Sequence, residues 1–151
     1  TRRMTLSWIL KALLMTVAVI GLARGAGAAE PGPVDKDAPE EFTKSPSGLK
    51  YRIRRKSDGD KPSAANSVTV HYRGWLDDGK EFDSSYKRNE PITFGLKQVI
   101  PGWTEGMQLV GKGGMIELEI PSKLGYGAAG AGGVIPPNAT LHFLVELIDI
   151  K

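Results

Sequence analysis

Between Gly48 and the C-terminus, apolar side chains recur at every second position in four separate stretches. Leu49, Tyr51 and Ile53 alternate with Lys50, Arg52 and Arg54; Val68, Val70 and Tyr72 alternate with Thr69, His71 and Arg73. Ile116, Leu118 and Ile120 flank Glu117 and Glu119, and Leu141, Phe143, Val145 and Leu147 flank His142 and Glu146. A period of two places one set of side chains on one face of an extended strand, so each stretch predicts a half-buried strand. Ile92 to Phe94 predicts a further short strand. Asp77-Asp78-Gly79-Lys80 supplies the residues that tolerate a tight hairpin turn. Lys56 to Asn66 is rich in turn formers and reads as a loop.

Only one helix is credible in this region. Pro101 suits a first helical position, where its missing N–H costs nothing, and the following residues predict a helix over about 101–110 that buries Trp103 and Met107. Several strands and one short helix imply an α+β fold, an antiparallel sheet with the helix packed on one face.

The N-terminal third is different. Arg2 and Arg3 precede a mostly apolar run from Leu6 to Leu22, and Ala26-Gly27-Ala28 has the small-x-small pattern of a cleavage site. That order of features predicts an export signal over 1–28. From Lys11 the uninterrupted apolar run is about a dozen residues, short of the ~20 that a spanning helix needs. Removal is therefore the favoured outcome and an uncleaved membrane anchor the alternative. Met4 is a candidate start, and the paired arginines match a twin-arginine signal only weakly. Residues 29–47 are rich in Pro, Asp, Glu and Lys with one aromatic, Phe42, and read as a disordered tether. The folded domain is expected over 48–151.

Charge and composition exclude several function classes. The net charge of +3 comes from the leader, because Arg2, Arg3, Lys11 and Arg24 precede the first acid, Glu30. Without those four, 16 basic residues face 17 acidic ones, which argues against a nucleic-acid partner. With no cysteine, neither a disulfide nor a thiolate metal site can form. Gly125-Tyr126-Gly127-Ala128-Ala129-Gly130 matches a dinucleotide-binding pattern, but Gly132-Gly133 and Pro136-Pro137 follow it, so no phosphate-holding helix can open there. A long mobile loop is the expectation. His71 and His142 fall on outward positions of their strands and lack ligand spacing. Ser84 and Ser85 lie near Asp83 and His71 in sequence, yet no nucleophile elbow surrounds them.

The aromatics are more informative. Tyr72, Phe82, Phe94, Trp103, Tyr126 and Phe143 all fall in or beside the predicted elements. Tyr126 sits in the Gly-rich segment, where a purely core aromatic is unexpected. Several aromatics with a few polar groups is the usual form of a ligand pocket.

Five motifs then occur in one order: Val70-His71-Tyr72; Gly79-Lys80-Glu81-Phe82-Asp83-Ser84-Ser85; Val99-Ile100-Pro101-Gly102-Trp103; Gly125-Tyr126-Gly127; and Ile135-Pro136-Pro137-Asn138-Ala139-Thr140-Leu141-His142-Phe143. In these blocks the chain resembles the FKBP family of peptidyl-prolyl cis-trans isomerases, from about Gly48 to Lys151. The resemblance implies a bent antiparallel β-sheet wrapped around one short α-helix, with a pocket between them. By position, Trp103 would be the pocket floor. Tyr72, Phe82, Phe94 and Phe143 would be its walls, Val99 and Ile100 its rim, and Asp83 its internal polar group. Ile100 would also offer its backbone N–H to a substrate carbonyl, and Tyr126 its hydroxyl. Ile92 stands where the family often has an aromatic, and Ala131 and Gly132 where bulkier residues are common; both departures are expected to loosen macrolide affinity.

The implied activity is rotation of X-Pro bonds in exported polypeptide clients, with no cofactor and no metal. Tacrolimus- and rapamycin-type macrolides are further candidate ligands. The alternative is a peptide-binding chaperone module using the same pocket without turnover. Secreted bacterial members often carry a helical dimerisation segment, for which residues 29–47 have the wrong composition, so a monomer is expected. The leader reading is checked by intact-mass measurement of the exported protein, which should begin at or within a residue of Ala29. A mature chain that retains Leu6 to Leu22 would sink it.

Overall fold

The computed structural model describes residues 28–151, so the export signal expected over 1–28 lies almost wholly outside the described residues. Seven strands are present: β1 (Thr43–Lys44), β2 (Lys50–Arg55), β3 (Ser67–Leu76), β4 (Glu81–Ser84), β5 (Ile92–Gly95), β6 (Met115–Ile120) and β7 (Leu141–Ile150). They form one sheet in the order β1-β2-β6-β7-β3-β4, with β5 also paired to β3. All pairings are antiparallel. Two short helices join them, α1 (Ser85–Arg88) and α2 (Pro101–Gly106).

The period-two stretches form strands as predicted, and their apolar sets face inward. Val68, Val70, Ile116, Leu118, Ile120, Leu141, Val145 and Leu147 are at most 1% exposed and join one core cluster with Trp103 and Met107 of the helical segment. Bulges explain where the alternation slips. Thr69 pairs with Asp149 but Val70 pairs with Leu147, so Ile148 is the extra residue in β7 and stands exposed. A bulge re-aims side chains without ending the strand.

α2 is shorter than the helix expected over 101–110. It ends at Gly106 and passes into a tighter 3₁₀ turn over Met107–Leu109. Its glycines set its place on the sheet. A Cβ on Gly102 would lie 2.6 Å from Ile120, and one on Gly106 2.7 Å from Leu118. Four residues apart, the two glycines share one helix face, and that face meets β6 at a distance no side chain would allow. The Gly-rich segment is likewise more structured than a mobile loop. It holds 3₁₀ turns at Ser122–Leu124 and Gly127–Ala129, and a bridge between Ala131 and Ile135.

Residues 29–47 are not a free tether in this structure. The segment crosses the outer face of the sheet and then follows the edge of β2. Ala29 N–H donates to the Tyr86 carbonyl (3.1 Å) and Asp35 N–H to the Arg54 carbonyl (2.8 Å). Gly32 N–H donates to Glu146 Oε1 (2.9 Å), and Arg55 donates to the Pro33 carbonyl (3.1 Å). The Arg52 guanidinium lies over the Phe42 ring at 4.4 Å, and Thr43–Lys44 pair with β2 as β1. Composition misled because the segment is held by backbone hydrogen bonds and ion pairs, with little apolar burial of its own. Met115, Leu144 and Tyr86 are buried yet stand apart from the main core cluster. Met115 pairs directly with Arg55 and Glu146, the residues that grip the segment at Gly32 and Pro33.

Glu146 is the centre of that grip. It accepts from Tyr86 Oη (2.6 Å), Arg55 Nη2 (2.7 Å) and Gly32 N–H. Partial burial pushes its carboxyl up, but these hydrogen bonds and the Arg55 charge outweigh it and hold Glu146 below the ordinary value of 4.5. A depressed carboxyl stabilises the fold above its unfolded value and loses that contribution as pH falls through its folded value. Urea titrations at neutral pH and below about pH 4 should therefore show Glu146→Gln with a flatter acid dependence than the parent. A Cβ on Gly32 would lie 2.8 Å from Arg55 Nη1 and 2.9 Å from Glu146 Oε2, the movable ends of two long side chains, so a larger residue there must push the Arg55–Glu146 pair aside. Gly32→Val should cost at most about 1 kcal/mol in a urea titration; a larger loss would show that the pair cannot move.

Candidate functional site

A small open cavity lies between the inner face of the sheet and α2. Tyr72, Asp83, Phe94, Val99, Ile100, Trp103, Tyr126 and Phe143 line it. These are eight of the ten residues that the sequence singled out. Trp103, 4% exposed, is the hub of an aromatic nest. Its ring meets Tyr72, Phe94 and Phe143 edge-on, at centroid distances of 5.3, 5.4 and 5.3 Å. Edge-to-face contacts are the favoured geometry for aromatic pairs, and here they fix the floor and three wall rings together. Ile100 is the N-cap of α2 in extended conformation, which presents Val99 and Ile100 at the rim. Thr104 Oγ1 donates to the Leu96 carbonyl (2.7 Å) and ties the rim segment to the helix.

Phe82 and Ile92 stand beside these eight. Phe82 is the extra residue of a bulge in β4, because Gly74 pairs with Asp83 while Trp75 pairs with Glu81. The bulge sets Phe82 edge-on to Phe143 at 5.5 Å and turns Asp83 into the cavity. Gly74 makes this packing feasible: a Cβ there would lie 2.5 Å from Phe82 and 2.8 Å from Phe143. Ile92 pairs with Val70 and packs, half-buried, against the core; the Phe94 ring, edge-on to Tyr72 at 5.7 Å, forms a wall there.

The polar groups are few and mutually bound. The Tyr72 hydroxyl donates to Asp83 Oδ2. Arg88 Nη1, from the end of α1, reaches Asp83 Oδ1 at 2.5 Å, and Ser84 N–H donates to the same oxygen at 2.9 Å. The Asp83 side chain is 7% exposed, so its charge is buried but paired, as a buried carboxylate must be. Burial first, and then the Asp83 charge, push the Tyr72 phenol far above its ordinary value. The same two causes raise Tyr126. Both phenols hold their protons throughout the neutral range.

Sequence reasoning missed Arg88 and Ser85. Arg88 lies five residues beyond Asp83 in a stretch with no strand or helix pattern long enough to place it. Ser85 was set aside with the rejected nucleophiles, and its hydroxyl bonds instead to the backbone of Tyr72. His71 and His142 do lie on the outer face, but neither is free. His71 Nδ1 is 2.9 Å from Ser85 Oγ, and His142 Nε2 is 2.7 Å from Asp77 Oδ1. Among the described residues, no group of three or more His, Asp or Glu side chains is placed to hold a metal ion, and no helix is long and apolar enough to cross a membrane.

Comparison with known proteins bears on this site. Residues 59–148 match the family model described as FKBP-type peptidyl-prolyl cis-trans isomerase. The chain is 52% identical over 118 residues to the FKBP-type peptidyl-prolyl cis-trans isomerase FkpA of Escherichia coli strain K12, a match spanning 78% of this chain and 43% of that protein. It is 53% identical over 98 residues to the FK506-binding protein of Neisseria meningitidis serogroup C, spanning 64% of this chain and 90% of that protein. The crystal structure of FkpA from Escherichia coli superposes with a TM-score of 0.72 at 50% identity, over 75% of this chain and 53% of that one. The chain thus spans about half the length of the first curated relatives it matches.

Trp103 and Tyr126 should separate core from rim. Trp103→Ala removes the hub of the nest and should cost about 3–5 kcal/mol in a urea titration. Tyr126→Phe removes one hydroxyl from a half-exposed turn and should change stability by less than about 0.5 kcal/mol. Equal losses would make Tyr126 a structural residue.

Proposed function

The chain belongs to the FKBP-type peptidyl-prolyl cis-trans isomerase family, and from that premise we propose that it accelerates rotation about X-Pro bonds in polypeptide clients that bind this cavity. The observation that carries the reading is the cavity itself: an aromatic enclosure around Trp103 whose one buried charge, on Asp83, is already paired with Arg88 and Tyr72.

A prolyl amide rotates against a barrier of about 18–20 kcal/mol because it must lose its resonance. The planar amide is the more charge-separated form, and the twisted one the less. An enclosure with few free polar groups favours the twisted form over the planar form. Better binding of the transition state than of the ground state is what catalysis requires. In this reading the proline ring rests on Trp103, between Tyr72, Phe94 and Phe143. The Ile100 N–H and the Tyr126 hydroxyl hold the flanking carbonyls. The Tyr72 hydroxyl is committed to Asp83 and, with Arg88, occupies that carboxylate where it lines the cavity.

Export and client identity belong to the same proposal. The leader pattern of residues 1–28 supports action on exported proteins, after removal of the leader, and the described domain is read as a monomer. The name of the Neisseria relative, an FK506-binding protein, supports a macrolide as a competitive ligand of this cavity.

A refolding-coupled or protease-coupled isomerase assay on a Leu-Pro peptide tests the activity, and a pH series tests the mechanism. Rotation transfers no proton, and both cavity phenols are held above their ordinary values, so they stay protonated as hydrogen-bond donors. We therefore expect kcat/KM to vary less than about twofold between roughly pH 6 and 8.5. A steep limb near neutrality with a solvent isotope effect of about two or more would defeat the rotation mechanism. Peptide binding without any rate acceleration would leave a chaperone module in its place.

A further inference from the structure

One edge of β3 has a break in its pairing. β5 pairs with Ser67 to Val70, and β4 pairs with Arg73 to Trp75. Between them, no strand on that edge reaches Tyr72, the residue whose hydroxyl is bound to Asp83. The gap is filled by a side chain. Tyr72 N–H donates to Ser85 Oγ at 2.7 Å, and Ser85 Oγ donates to the Tyr72 carbonyl at 3.2 Å. Ser85 is 0% exposed, so water does not share these bonds.

We infer that Ser85 is a positioning residue for the cavity: its hydroxyl stands in for a missing strand residue, fixes the Tyr72 backbone, and so sets the Tyr72 phenol against Asp83. The inference rests on the reading of this cavity as the isomerase site. The local sequence accounts for the arrangement. β4 ends at Ser84, whose side chain caps α1 by accepting from Lys87 N–H at 3.3 Å. The turn into α1 then swings Ser85 back toward β3, while Asp83 and Arg88 are held on either side of it. One pair of adjacent serines thus performs two tasks, a cap and a strand surrogate.

The hydroxyl has one proton and two lone pairs. Its proton goes to the Tyr72 carbonyl and one lone pair receives the Tyr72 N–H. The remaining neighbour, His71 Nδ1 at 2.9 Å, must then be the donor. The arrangement therefore specifies a proton on His71 Nδ1. The imidazole is kept in place by stacking on Tyr86, with centroids 4.9 Å apart and planes 14° from parallel. The opposite assignment would spend the Ser85 proton on His71 and leave a buried carbonyl unpaired, which is the costlier state.

Nitrogen-detected NMR of the parent chain near pH 8 decides the hydrogen-bond assignment without any substitution. A protonated Nδ1 on His71 is expected, and a bare Nδ1 would overturn the inference. The kinetic arm uses Ser85→Ala, which should lower kcat/KM on a Leu-Pro peptide by about tenfold, in line with the cost of a small misplacement at a site. Because Ser85 sets the Tyr72 phenol as well as its ring, Ser85→Ala should cost less in a Tyr72→Phe background, where only the ring is left to misplace, than in the parent. Multiplying losses in that double variant, or parental activity in Ser85→Ala, would overturn the inference. Should Ser85→Ala not fold, Ser85→Thr keeps the hydroxyl and should retain kcat/KM within about threefold of the parent; a larger loss with the fold intact would count against it. A parent chain with no isomerase activity would sink the functional reading alone, and the His71 measurement would still decide the hydrogen-bond arrangement.

Discussion

The contact between α2 and β6 governs the rest of this structure. Gly102 and Gly106 let the helix approach until its backbone rests on the side chains of Ile120 and Leu118. That approach seats Trp103 among Tyr72, Phe94 and Phe143, which come from β3, β5 and β7. A helix held one side chain further out would leave Trp103 short of its three partners and open the cavity floor. The aromatic nest and the cavity floor both follow from one close approach. Glycine in a helix interior is costly by about 1 kcal/mol against alanine, and six residues of α2 carry two of them. The cost is offset by dispersion contacts across a seam that contains no void-filling side chains.

Irregularity in the strands then decides what the cavity contains. A regular β4 would turn either Phe82 or Asp83 inward but not both. The bulge opposite Gly74 brings both to the inner side: Phe82 edge-on to Phe143, and Asp83 as a lining group. The break between β4 and β5 along β3 likewise makes room for α1, which delivers Arg88 to Asp83 and Ser85 to Tyr72. Side chains at a bulge and at a strand break therefore surround the one buried charge.

This division explains which features were legible in the sequence. Strands β2, β3, β6 and β7 were visible because a half-buried strand must alternate, and Leu49, Val68, Val70, Ile116 and Leu141 do so without exception. Trp103 was visible because a large aromatic follows a helix-opening proline. The cavity's lining was mostly legible through motif order, but the bulge at Phe82 was not, because a motif fixes neighbours along the chain and not the register of a bulge. Arg88 and Ser85 were missed, since their partners lie across a strand break that no periodicity reports. Residues 29–47 were read as a tether because composition measures apolar burial alone. Their order comes from Glu146, Arg52, Arg54 and Arg55, which bond backbone groups of the segment, and from Asp35 Oδ2, which accepts the Lys56 N–H. Backbone acceptors are present in every sequence and leave no mark in one.

A charge inside a site proposed for amide rotation needs a physical account, because a free carboxylate would favour the charge-separated planar amide over the twisted one. The structure answers by pairing Asp83. One oxygen takes the Tyr72 hydroxyl, and the other takes Arg88 and the Ser84 N–H. Opposite charges at 2.5 Å act on a substrate several ångströms away as a dipole, whose influence falls faster with distance than that of a single charge. Asp83 then serves to orient Tyr72 and to anchor α1, and the substrate meets mainly ring edges and faces. Three of the carboxylate's lone-pair positions already accept from the protein, which leaves one on Oδ2. In such a site the polar network preserves the shape of an apolar surface, and that surface is what distinguishes the twisted amide from the planar one.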